Sequence, residues 1–266
     1  MKLKPVTADR PPKLGDEDAA PPHASPAGDK LEKALDKQAD RLKELQQLFY
    51  ADGRYALLVV LQGRDASGKD GVIKKVIGAV NPMGVELSSF KAPSDEERAR
   101  DFLWRIHARV PARGTIGVFN RSHYEDVLVA RVHGLVPKKV WSKRFDQINE
   151  FEHMLSLNNV VILKFMLHVS HDEQKKRFEE RLADRTKNWK FRAGDLNDRA
   201  KWAEFTRAYR DALTRCSTPW APWYVVPADD NDVRNLLVAR TIADTLDSLE
   251  LRYPKPEKGA LDLRIE

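Results

Sequence analysis

The chain has 266 residues, 42% of them hydrophobic and 32% charged, with a formal net charge of +6 and one cysteine. That length predicts one large domain with a real core. No run approaches the roughly 18 consecutive apolar residues of a membrane span, and the lone Cys216 excludes an internal disulfide, so a cytoplasmic protein with no membrane partner is expected.

Residues 1–28 are rich in Pro, Ala and Asp without periodicity, which predicts a largely extended or mobile N-terminal arm. Over 29–50, Leu31, Leu35, Leu42, Leu45 and Phe49 share one helical face. That face can pack on its own domain or on a twin subunit, and a homo-oligomer, dimer or tetramer, is expected. ALLVVLQ (56–62) reads as a strand, followed by a glycine loop and a helix GVIKKVIGAV. After the turn NPMG, VELSSF reads as a second strand. Ser94 and Glu97 form a capping box that opens a helix over SDEERARDFLWRIHARV (94–110).

TIGVFN (115–120) is a third strand, and a long helix follows over 138–157. VVILKFMLHV (160–169) has the near-continuous apolar character of a strand buried on both faces. Ser170 and Glu173 cap a helix running to about Arg185. Beyond an irregular basic stretch, LNDRAKWAEFTRAYRDALTRC (196–216) reads as one helix. YVVPAD is a fifth strand, and NDVRNLLVARTIADTLDSLELR a closing helix. This alternation predicts a three-layer α/β domain over 29–255, with a parallel five-stranded sheet and helices on both faces. Residues 256–266 form a C-terminal tail.

From Gly63 the sequence reads G-x-x-x-x-G-K. In such a loop the backbone of Gly63, Arg64, Ala66, Ser67 and Gly68 curls its N–H groups inward, and the helix N-terminus adds positive potential. Lys69 then reaches the outer phosphates. Asp70 stands where a hydroxyl normally holds Mg²⁺, and Asp65 is a second carboxylate inside the loop. The third strand ends in Asn120, where phosphate-loop enzymes carry an acidic metal holder, and Arg121 offers a fork for phosphate oxygens. Glu125 and Asp126 follow. They either restore the missing charge or form an acidic pair at a helix N-terminus.

The basic excess is open to two readings, a solvated surface or a polyanionic partner. Its densest part is 175–201, where Arg177, Arg181 and Arg185 are four apart and Lys187 and Lys190 follow. The segment is either a surface helix paired with Glu180 and Asp184, or a lid over about 177–199 that closes on phosphates and excludes water. His107, His123, His133, His153, His168 and His171 show no metal-ligand spacing, and Cys216 has no zinc partners.

With GRDASGKDGVIKKV (63–76), NRSHYEDV (120–127) and RLADRTKNWKF (181–191) in this order, the sequence resembles the polyphosphate kinase 2 family over roughly 30–255. The resemblance implies a phosphate-loop kinase fold like that of thymidylate kinases, with a helical lid. It implies reversible transfer of the terminal phosphoryl group of inorganic polyphosphate to AMP or ADP, yielding ADP or ATP, with Mg²⁺ or Mn²⁺. It further implies Asp65, Lys69, Arg121 and Arg181 as functional positions. NRSHYEDV resembles the subgroup accepting both AMP and ADP; many other members carry Asp at the place of Asn120.

Asp126 is therefore expected to hold metal together with Asp65, which becomes a ligand for the ions that accompany a phosphate chain. Asp70 is expected as a first-turn residue stabilised by the helix dipole. Arg64, Asp70, Asn120, Arg177, Lys187 and Lys190 complete the expected phosphate and nucleotide contacts. Two rivals stand beside this reading: an ATP-dependent nucleoside or nucleotide kinase on the same fold, and a basic nucleic-acid-binding phosphate-loop protein. The concentration of order in a phosphate loop disfavours nucleic acid as partner.

Overall fold

In β1 (Ala56–Gln62) every residue is buried, and the alternation of side chains feeds two cores at once. Leu58 and Val60 point to one face; Leu57, Val59 and Leu61 point to the other. A strand buried on both sides belongs in the middle of a parallel sheet. The computed structural model, which describes residues 2–260, places it there. Met1 of the expected arm and residues 261–266 of the expected tail lie outside the described residues. With β2 (Val85–Ser89), β3 (Ile116–Asn120), β4 (Val160–His168) and β5 (Trp223–Pro227), it forms one parallel sheet in the order β2-β3-β1-β4-β5.

The helices in chain order are α1 (Asp29–Asp52), α2 (Lys69–Lys75), α3 (Asp95–Arg98), α4 (Trp104–His107) and α5 (Val129–Val132). They continue with α6 (Lys138–Leu157), α7 (His171–Ala183), α8 (Ala193–Ala200), α9 (Trp202–Arg215) and α10 (Asn231–Asp247). Leu31, Leu42 and Phe49 of α1, Val72 of α2 and Leu236 and Leu237 of α10 cover one face of the sheet. Phe145, Ile148 and Leu155 of α6 and Phe205, Tyr209 and Leu213 of α9 cover the other. The expected three-layer α/β architecture holds, and the apolar face of α1 packs on its own domain.

Four of the expected helices end early or split, two of them for a visible local reason. The helix expected over 94–110 begins with its capping box, in which Ser94 and Glu97 bond reciprocally, but divides into α3 and α4. Between them Asp101 Oδ1 accepts the Leu103 N–H at 2.9 Å, a side chain competing with the helical ladder. The helix after Ser170 stops at Ala183, so Arg185 is off the face of Arg177 and Arg181. There the Asp184 carboxylate takes the Thr186 N–H at 2.9 Å and turns the chain. The single helix expected over 196–216 is broken at Lys201 into α8 and α9, and the closing helix ends at Asp247.

The N-terminal arm packs against the domain, with a tight turn at Thr7–Arg10 and a 3-10 turn at Asp16–Ala19. Val6 N–H donates to Trp223 O at 2.8 Å, and Val6, Leu14 and Ala19 are buried. His168 Nε2 bonds Gly15 O at 2.7 Å, and Asp229 N–H donates to Ala19 O at 3.1 Å. Among the described residues, no helix is long and apolar enough to cross a membrane.

Candidate active site

β1 ends at the centre of the sheet, where ligands bind in open α/β folds. Gly63 opens the loop that follows. A Cβ there would lie 2.5 Å from Ser67 Oγ and 2.6 Å from Leu167 O, so no larger residue fits. Gly68, at φ +93°, turns the chain into α2. Ala66 holds a left-handed conformation at φ +63° without being glycine, and the loop is braced around it. Arg177 Nη1 donates to Ala66 O at 2.9 Å, and Gln174 Nε2 donates to Asp65 O at 2.9 Å. Ser67 N–H donates to Arg64 O at 3.1 Å.

Lys69 curls back over this loop and donates to Gly63 O at 2.7 Å and Arg64 O at 3.2 Å. Burial draws its pKa below the ordinary lysine value, with Asp65 opposing. The end of β3 is held beside the loop, Arg121 N–H donating to Leu61 O at 3.0 Å. Arg121 also turns left-handed, at φ +63°, which aims its guanidinium at the loop. Nη2 donates to Asp65 Oδ1 at 2.9 Å and Nη1 to Glu125 Oε2 at 3.4 Å. Gln62 Nε2 holds the other oxygen of Glu125 at 2.9 Å. Gly63, Arg64, Asp65, Arg121 and Glu125 thereby line a cleft together with Trp202, Phe205 and Tyr209 of α9.

A family model described as polyphosphate kinase 2 matches residues 27–254. The chain belongs to the polyphosphate kinase 2 family. It is 52% identical over 226 residues to an AMP/ADP-polyphosphate phosphotransferase of Meiothermus ruber, covering 85% of each chain. It is 46% identical over 233 residues to an ADP-polyphosphate phosphotransferase of Rhodopseudomonas palustris, covering 83% of this chain and 81% of the other. The crystal structure of polyphosphate kinase 2 from Arthrobacter aurescens superposes with a TM-score of 0.87 at 43% identity, over 90% of this chain and 86% of the other.

In this polyphosphate kinase 2 family member, Asp65, Lys69 and Arg121 meet around one loop. Asp126 lies apart. Its carboxylate faces Arg144 Nη1 at 2.8 Å, and burial raises its pKa against the pull of that guanidinium. Glu125, its neighbour, is the carboxylate on the cleft. Asp70 does more than sit in a first helical turn. It accepts from Asn120 Nδ2 at 3.1 Å and from Lys190 Nζ at 3.2 Å, bridging the end of β3 to the segment between α7 and α8. Partial desolvation opposes its ionisation, but these bonds hold its carboxyl below the ordinary value.

The arginines of the expected lid divide. Arg177 is buried and committed to protein: beside Ala66 O, it donates to Ala228 O at 2.7 Å, Asp229 O at 2.9 Å and Glu173 at 2.8 Å. Arg181 lies half-buried near the Phe178 ring, 5.8 Å from its centroid, and forms no ion pair among the described residues. Lys187 is exposed and paired with Asp184 at 2.7 Å. Arg64 also leaves the phosphate side: it stacks at 3.8 Å over Trp202 and donates to Thr206 Oγ1 at 2.6 Å. Burial pushes its guanidinium down to about 10.

Among the described residues, no cluster of three or more His, Cys, Asp or Glu forms a metal cage. Mg²⁺ in phosphoryl-transfer sites does not need one, because one or two carboxylates and the substrate's own phosphates hold it. Asp65 and Glu125, both on the cleft wall and both on Arg121, fit that requirement.

Proposed function

We propose that this family member transfers the terminal phosphoryl group of inorganic polyphosphate reversibly to AMP and ADP, giving ADP and ATP. The carrying observation is the convergence of Lys69, Arg121, Asp65 and Glu125 on one phosphate loop. The names of the Meiothermus ruber and Rhodopseudomonas palustris relatives support the choice of substrates.

An oxygen of the acceptor's terminal phosphate attacks the end phosphorus of the chain in line, and polyphosphate shorter by one unit leaves. The protein has little covalent work; it positions two anions and stabilises the equatorial oxygens. Lys69 exchanges the carbonyls of Gly63 and Arg64 for phosphate oxygens. Arg121 offers its planar fork from the end of β3, and Arg181 closes from the lid. Asp65 and Glu125, rather than Asp126, are the residues that would hold Mg²⁺ or Mn²⁺. Bound there, the ion neutralises negative charge on the phosphoryl oxygens.

Pure protein incubated with polyphosphate, Mg²⁺ and AMP should yield ADP and then ATP by ion-exchange chromatography. Product formed with ATP as donor, and none with polyphosphate, would replace this reading by an ATP-dependent kinase. The buried free thiol of Cys216 supports placing the protein in the cytoplasm. The exposed apolar side chains Tyr50, Met83 and Leu87, near the edge strand β2, support a homo-oligomer of two or four copies, which light scattering tests.

A further inference from the structure

A second cation lies hidden under the phosphate loop. Arg234, in the first turns of α10, is 1% exposed. A Cβ on Gly68 would sit 2.0 Å from its Nη1, and one on Gly71 would sit 2.7 Å from its Nη2. The two glycines leave the hollow that the guanidinium fills, directly against the turn from loop to helix.

Its partners are neutral. Nη1 donates to Asn231 Oδ1, Nη2 donates to Asn235 Oδ1 at 3.0 Å, and Nε has no partner among the described residues. Among the described residues no carboxylate forms an ion pair with it. Asp230 caps α10 with its own carboxylate and, like Asp232, acts on the guanidinium only at longer range. Arg177, the other arginine beneath the loop, repels it. Burial first, and then Arg177, push the Arg234 guanidinium down to about 10.

A buried charge without a counter-charge is strongly destabilising, unless something brings the missing charge. We propose that Arg234 is a positioning residue whose counter-charge is the substrate: it sets the loop's affinity for the phosphate chain from beneath Gly68. This rests on the reading that polyphosphate seats on the Gly63–Lys69 loop. The arginine touches no phosphate through the loop; it acts by its field, which is long-ranged in a poorly solvated interior.

Calorimetric titration of the full chain with long-chain sodium polyphosphate, without nucleotide, tests this. Arg234→Gln removes the charge, Arg234→Lys keeps it, and Asn235→Asp gives the arginine a carboxylate without disturbing its packing. Arg234→Gln and Asn235→Asp should each raise Kd about tenfold, or about 1.4 kcal/mol, while Arg234→Lys stays within about threefold of wild type. Asn235→Asp should also raise the unliganded melting temperature, because it pairs a buried charge. A Kd for Asn235→Asp within about twofold of wild type would overturn the proposal, even if Arg234→Gln fails to fold. So would an Arg234→Lys as weak as Arg234→Gln, since that pattern belongs to packing. Lys69→Ala serves as the control. If it binds polyphosphate as wild type does, the loop is not the seat and both readings fall. If it loses affinity while Asn235→Asp does not, the Arg234 proposal alone fails.

Discussion

Glu125 and Asp126 are neighbours with opposite surroundings, and that difference is the sharpest assignment in the site. Both belong to the short 3-10 turn His123–Asp126, where successive side chains point about 120° apart. Glu125 therefore reaches the cleft while Asp126 turns to Arg144. Sequence spacing cannot tell which of two adjacent acids faces a ligand, because the turn type that decides it depends on packing. The loop itself was legible, since Gly63, Gly68 and Lys69 act through local backbone geometry. Arg177 was not, because its role needs the carbonyls of Ala66 and Ala228, far away in the chain. Glu125→Gln should lower kcat by about 10²-fold, on the scale of one lost charge-stabilising group, and shift the Mg²⁺ requirement upward. Asp126→Asn should cost far less and leave the Mg²⁺ titration in place. A larger rate loss in Asp126→Asn would return the metal to Asp126.

Elements with a strong physical signature, such as the apolar runs of β1 and β4, were visible in sequence within a residue or so. The breaks between helices were not, because single side chains cause them: Asp101 at α3–α4 and Asp184 after α7. The break after α7 matters for the expected lid, since it leaves Arg181 in the helix's last turn without an ion pair among the described residues, Asp195 acting on it only at longer range. Arg181→Lys keeps the charge and loses the planar fork. It should reduce kcat by about 10²-fold and change stability by no more than about 0.5 kcal/mol, so the melting temperature barely moves. Normal kcat with a lower melting temperature would place Arg181 in a structural network.

At the other end of the domain, Asp52 closes α1. Its carboxylate accepts from Arg54 Nε at 2.7 Å and from the Arg252 N–H at 2.8 Å. The Arg54 hydrogen bond, against some burial, holds it well below the ordinary carboxylate value. A depressed carboxyl stabilises the fold above its unfolded value near 4 and loses that contribution as pH falls. Asp52→Asn should thus lower stability by about 1 kcal/mol at pH 7, after allowance for solvent screening of the exposed Arg54. The gap from wild type should narrow steadily below pH 4 in thermal melts. A constant gap would mean that the carboxylate's charge is not what closes the helix.

Across the whole molecule, the site hangs on a polar node in the middle of the core. Glu152 of α6 and Lys164 of β4 are both fully buried and paired. Lys164 Nζ also donates to Tyr124 Oη and to Cys216 O, each at 2.7 Å. Tyr124 Oη donates to Glu152 Oε1 at 2.9 Å, and His123 Nε2 bonds the same oxygen at 3.1 Å. Lys164 and His123 keep the Glu152 carboxyl below its ordinary value despite burial. The segment carrying Arg121 and Glu125 is thus anchored to two layers of the fold at once. Lys164 stands plainly inside an apolar strand in the sequence, but nothing there names its partner. Glu152→Gln leaves the ammonium buried without a counter-charge, which should cost about 3–5 kcal/mol. At about 2–4 °C per kcal/mol for a domain of this size, the melting temperature should fall by roughly 10 °C. Removing the orphaned charge as well, in Glu152→Gln with Lys164→Met, should recover most of that loss, since replacing a whole buried pair by neutral groups is often close to neutral. Calorimetry on the four proteins of this double-mutant cycle decides it. A double variant no more stable than Glu152→Gln would show that shape, not the unpaired charge, carries the node.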